Sequence, residues 1–115
     1  MPIVEITAFF EKVSQALGRL DLETALSYFA DGEEMVKISN GRVLRGKAQL
    51  REYWQERLGK VRSLQVAMEN IQIHALDDRH CWTVADEYIT IEGQTQKAVV
   101  TNLLVRTDQG WKILL

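Results

Sequence analysis

Cys81-Trp-Thr-Val-Ala-Asp-Glu-Tyr-Ile-Thr-Ile-Glu92 contains no glycine or proline and is dense in β-branched and aromatic residues, so it reads as one long strand. On its C-terminal side, Gly93-Gln94 separates it from a second strand, Lys97 to Thr107. Asp108-Gln109-Gly110 then turns into a last strand, Trp111 to Leu115. On its N-terminal side, Asp77-Asp78 is a turn back to Leu64-Val66-Met68 and Ile71-Ile73-Ala75, which alternate apolar with polar positions. From Ser63 onward the chain is therefore a meander of antiparallel strands.

The first half has a different period. Ile6, Phe9, Phe10, Val13, Ala16, Leu17 and Leu20 recur near 3.6-residue spacing and define a helix, with Gly18 as its C-cap. Asp21 suits the N-cap of a second helix carrying Leu22, Ala25, Leu26 and Phe29. Met35 to Ser39 and Arg42 to Arg45 are short strands around Asn40-Gly41, a strong hairpin signal. Leu50, Tyr53, Trp54, Arg57 and Leu58 mark a third helix, capped at Gly59. The order is α-α-β-β-α-β-β-β-β, an α+β class with helices on one face of a curved sheet.

Composition narrows the setting. The 115 residues fit one domain, 1–115, within the usual range of roughly 100–150. With 14 Lys+Arg against 16 Asp+Glu, the net charge of −2 disfavours a nucleic-acid or anionic-membrane partner. No apolar run approaches the ~20 residues that span a bilayer. The N-terminus, with Glu5, Glu11 and Lys12 in a helical pattern, does not read as a signal peptide. The lone Cys81 has no partner for a disulfide or a CxxC metal site, and a reducing cytoplasm is the expected compartment. Ala98 to Val105 is apolar on both faces. Helices can cover only one, so a second copy of the chain is expected on the other, as a homodimer.

Three stretches carry a family resemblance: Asp21 to Asp31, the run from Gly41 through Gly46 into Leu50-Arg-Glu-Tyr-Trp54, and Asp108-Gln-Gly-Trp-Lys-Ile113. In this order they resemble the NTF2-like superfamily, its SnoaL-like and ketosteroid-isomerase-like cone with a cystatin-like α+β arrangement. The resemblance implies three helices on a strongly curved antiparallel or mixed sheet. It also implies an apolar cavity at the mouth of the cone and dimerisation through the convex sheet face. It says little about reaction, since one fold hosts many functions.

The isomerase chemistry of that branch transfers poorly. It uses a carboxylate on the first strand after the second helix, a tyrosine and a protonated aspartate. Here Met35-Val-Lys-Ile-Ser39 has no acid, Thr101-Asn102-Leu103 has none, and the first helix lacks tyrosine. The remaining candidate is Asp86-Glu87-Tyr88. Side chains alternate along a strand, so Asp86 and Tyr88 share a face and Glu87 takes the other. The phase Trp82, Val84, Asp86, Tyr88, Thr90 is expected to face inward, making Asp86 the candidate catalytic residue. The opposite phase, with Glu87, is the alternative, as is cross-strand pairing of these acids with Arg106 or Lys97. Trp54, Tyr88 and Asn102 are the candidate ligand-binding residues.

His74 and His80 flank the Asp77-Asp78 turn in no known zinc spacing, so no metal and no cofactor are expected. Three functions follow: a small-molecule-binding pocket protein, an isomerase, cyclase or dehydratase with a pocket carboxylate as proton shuttle, or a non-enzymatic association module.

Overall fold

The computed structural model describes residues 3–115. The element order is α1 (Ile3–Gly18), α2 (Leu22–Leu26), β1 (Val36–Ser39), β2 (Arg42–Arg45), α3 (Gly46–Leu58), β3 (Leu64–Ala75), β4 (His80–Ile91), β5 (Gln94–Thr107) and β6 (Gly110–Ile113). This is the expected α+β order. Strands β3-β4-β5-β6 form an antiparallel sheet in sequence order, β1-β2 is a separate hairpin, and the sheet does not close. Among the described residues, no helix is long and apolar enough to cross a membrane.

Helix α1 buries Ile6, Phe9, Phe10, Val13 and Ala16, one stripe of its surface. Its stop differs from the expected one. Leu20, with φ of 58°, is the left-handed residue, and Asp21 N–H donates to Ala16 O at 2.9 Å while Leu20 N–H donates to Leu17 O at 2.9 Å. That is a Schellman closure with a leucine where glycine is usual. Gly18 is instead the point where the helix nears β3: a Cβ there would lie 3.6 Å from Leu64 O. Asp21 does cap α2, its carboxylate accepting from Thr24 N at 3.2 Å and from Thr24 Oγ1 at 2.7 Å.

Two turns set the hairpin registers. Asn40 and Gly41 both have positive φ, 49° and 76°, the geometry whose twist suits two-residue hairpins. Glu92 and Gly93 repeat it at 50° and 83°, so Ile91 pairs with Gln94 and β5 begins three residues earlier than expected at Lys97. In β3 the register with β4 shifts between Glu69 and Gln72, where Asn70 has φ of 53°. This bulge moves the inward phase from Leu64, Val66 and Met68 to Ile71 and Ile73 and bends the sheet.

The segment after α2 is stitched to β6. Ile113 N–H donates to Tyr28 O and Ala30 N–H to Ile113 O, both at 2.8 Å, and Val36 N–H donates to Leu114 O at 3.0 Å. The β1-β2 hairpin is thereby held against the sheet beyond β6, and α3 follows directly from it. Leu104 on β5 lies at the centre of the packed end of the cone, fully buried opposite Cys81 and Ile113. Leu104→Ala is expected to lower the unfolding free energy by about 2–5 kcal/mol in denaturant titrations. Val4→Ala, on the solvent side of α1, should stay within about 0.5 kcal/mol of the parent.

Candidate functional site

The concave face of β4 changes character along its length. Cys81, Thr83 and Ala85 are almost completely buried, Glu87 and Ile89 are half-buried, and Ile91 is exposed. Small side chains at 81, 83 and 85 let the core close tightly over the sheet. Beyond them a cavity of about 320 Å³ opens between α1, β1, α3 and the sheet. Phe10, Val13 and Leu17 of α1 supply one apolar wall, and Trp54 and Leu58 of α3 another. Val66, Met68, Ile89 and Ile91 form the floor, on which Glu87 and Asn102 are the polar groups.

Glu87, rather than Asp86, therefore faces the cavity. Asp86 lies on the outer face, where it accepts from Asn70 Nδ2 of the β3 bulge at 2.8 Å and pairs with Lys97 at 3.9 Å. Tyr88 shares that outer face, its ring under the Lys97 ammonium at 5.8 Å. The inward phase is the opposite of the expected one, because the narrow end of the cone has room for Cys81, Thr83 and Ala85 but not for Trp82. Trp82 instead lies outside, stacked on His74 with ring centroids 4.1 Å apart. The other two expected residues do line the cavity. Trp54 also packs edge-on against Phe29 at 5.6 Å, and Asn102 Nδ2 donates to Leu115 O at 3.2 Å.

Burial pushes the Glu87 carboxyl above its ordinary range, and the positive charge of Lys37 only partly offsets this. Among the described residues no side-chain hydrogen bond or ion pair reaches Glu87. Opposite it, Ser39, Asn40 and Tyr53 form a polar cluster. Asn40 Nδ2 donates to Tyr53 Oη at 2.8 Å, and Ser39 Oγ lies 3.1 Å from the same oxygen. Burial opposes ionisation of this phenol. The hydrogen bonds to Ser39 and Asn40 and the charges of Arg57 and Arg42 outweigh burial and hold it below the ordinary tyrosine range. The two guanidinium carbons sit 5.6 Å and 5.0 Å from the ring centroid.

Lys37, Tyr53 and Arg57 were not singled out by sequence as site residues. Their signal was spacing: Lys37 and Ser39 are i, i+2 on a strand, and Tyr53 and Arg57 are i, i+4 on a helix. Asp77 and His80 satisfy each other in the β3-β4 turn, Nδ1 to Oδ1 at 2.9 Å. A larger depression of about 720 Å³ runs outside, between α1 and β3, as an open groove with no convergent set of reactive groups.

A bent, open α+β sheet roofed by helices over an apolar hollow defines the NTF2-like class. The SnoaL-like domain family matches residues 6–114, and the chain belongs to that family. An NTF2-like protein of unknown function from Shewanella oneidensis superposes with a TM-score of 0.84 at 20% identity, covering 99% of this chain and 95% of that one. A candidate dehydratase of the NTF2-like family from Streptomyces avermitilis does so at 0.84 and 18%, covering 99% and 94%. A candidate calcium/calmodulin-dependent protein kinase type II association domain from Thiobacillus denitrificans gives 0.71 and 23%, covering 94% and 88%. Among proteins of curated function, none matches the sequence significantly. At these identities the likeness concerns the fold.

The Glu87 shift has a consequence for folding. A carboxyl whose folded pKa is raised contributes stability that is fully present below its unfolded value, ordinarily 4.5, and lost as pH rises through the folded value. Glu87→Gln removes that dependence. The stability of the variant relative to the parent should therefore rise from pH 4 to pH 8 in parallel denaturant titrations, and a flat difference would contradict the burial of this carboxyl.

Proposed function

We propose that the protein binds a small molecule with a mainly apolar body in the concave cavity, with Glu87 as a polar contact on its floor. The supporting observation is a half-buried carboxyl, unpaired among the described residues, on the floor of an otherwise apolar hollow. About 320 Å³ lies within the range of small-ligand sites, roughly 300–1,000 Å³. Such sites combine apolar walls with a few placed polar groups, and Trp54, Tyr53 and Asn102 complete that set here.

A second reading makes Glu87 a proton shuttle in an isomerase, cyclase or dehydratase. Its raised pKa favours this, because a general acid or base works best near the ambient pH. Tyr53 would then polarise the substrate oxygen. The dehydratase description of the Streptomyces protein belongs to the same class of chemistry. A purely associative role, the third option, needs no hollow, and the open cavity speaks against it as the sole function.

A thermal-shift titration with 2-naphthamide, a neutral probe of suitable size, tests the binding reading. The parent and Asp86→Asn should show the same ligand-induced rise in Tm, and Glu87→Gln a changed one. Equal shifts in all three would remove Glu87 from the site.

We further propose that the outer face of the sheet pairs with a second copy of the chain. Trp82 and Val99 are exposed there, Val99 to 69%, with Leu103 in the same patch opposite Trp82. Light scattering should give about twice 13.2 kDa for the parent and a monomer for Val99→Glu. A monomeric parent would contradict the pairing.

A further inference from the structure

The cavity is apolar in its walls but not neutral at its rim. Lys37 and Arg57 both line it, together with Ser39 and Tyr53, whose hydroxyl oxygens lie 3.1 Å apart. On α3 the other two cations have assigned acids: Lys47 meets Asp31 and Arg51 meets Glu23, each at 2.8 Å. Neighbouring Arg42 meets Glu56 at 3.7 Å. Arg57 has no such partner among the described residues and lies instead over the Tyr53 ring at 5.6 Å. Lys37 has none within 4 Å either. The acid whose charge it feels is Glu87, whose own burial favours the neutral form. The rim therefore presents two cations without full counter-charges beside a phenol.

That phenol is arranged to donate. Tyr53 Oη accepts from Asn40 Nδ2, and when Ser39 Oγ–H donates to it as well, the phenolic proton remains for an oxygen in the cavity. Tyr53 is itself nearly fully buried, so its orientation is fixed by packing. A guanidinium, an ammonium and a phenolic O–H in the lining of one mainly apolar hollow match an anion with a hydrophobic body.

We infer that the molecule bound in the cavity is an amphipathic anion, a carboxylate or comparable oxyanion on a compact apolar body. Its charged group sits between Lys37, Tyr53 and Arg57, and its body lies against Val13, Leu17 and Trp54. This rests on the cavity being a ligand site, and adds the ligand's chemical class.

Calorimetry with three probes of one shape tests it: 2-naphthoate, neutral 2-naphthamide and cationic 2-naphthylmethylammonium. The anion should bind the parent about tenfold more tightly than the amide, with the cation weakest. In the Lys37→Gln/Arg57→Gln variant the preference of anion over amide should shrink to about twofold or less. Added salt should weaken naphthoate binding to the parent more than naphthamide binding, a readout that needs no substitution. Amide binding equal to or tighter than the anion overturns the anion inference and leaves the cavity reading standing. If none of the three binds, both fall.

Discussion

Everything at the site follows from which side chains of β4 can fit under the helices. The narrow end of the cone is filled by Leu104, Ile113, Met35 and the α1 stripe, and tolerates only Cys81, Thr83 and Ala85 from the strand above them. Strand alternation then leaves no choice: Glu87 faces the hollow and Asp86 faces away. Exchanging the phase would put Trp82 into space now held by Cys81 and bring Asp86, in place of Glu87, to the concave face. The packing of one end of the sheet thus decides the chemistry of the other.

Most of the architecture could be read from the chain. Helical spacing from Ile6 to Leu17, the Asp21 cap, the Asn40-Gly41 turn and the long strands all gave local signals that tertiary packing did not override. The jump in apolar phase from Met68 to Ile71 also marks the β3 bulge, which Asn70 realises with its left-handed backbone. The inward phase of β4 was harder, because both phases contain apolar residues and an acid. The deciding signal was size rather than polarity. Trp82 and Tyr88 looked like pocket residues by type, yet the concave side of a tight bend takes the small residues and the convex side the large ones.

The polar rim was less legible for a different reason. Lys37 lies on a four-residue strand of the β1-β2 hairpin, and its role depends on that hairpin being sewn to β6 through Val36 and Leu114. No local pattern states that connection. Arg57 belongs to a run of arginines interspersed with Glu52 and Glu56, which reads as a solvated helix face. Only the three-dimensional arrangement shows that Arg42 and Arg57 both lie over Tyr53, and that of these two only Arg42 has an acid partner among the described residues. Trp54 and Asn102, by contrast, stood out because a mid-strand amide and a large aromatic on a roofing helix both require specific surroundings.

The fold is shared by proteins described in quite different terms, so function here must be argued from the site rather than the cone. The site here sets a single carboxyl on an apolar floor in the same cavity as a phenol flanked by cations. The burial of that carboxyl is open to direct measurement: the side-chain carboxyl ¹³C shift of Glu87 followed through a pH titration, assigned with Glu87→Gln. The account predicts a midpoint clearly above the ordinary glutamate value of 4.5. A midpoint at or below that value would contradict a buried, unpaired Glu87 on the cavity floor.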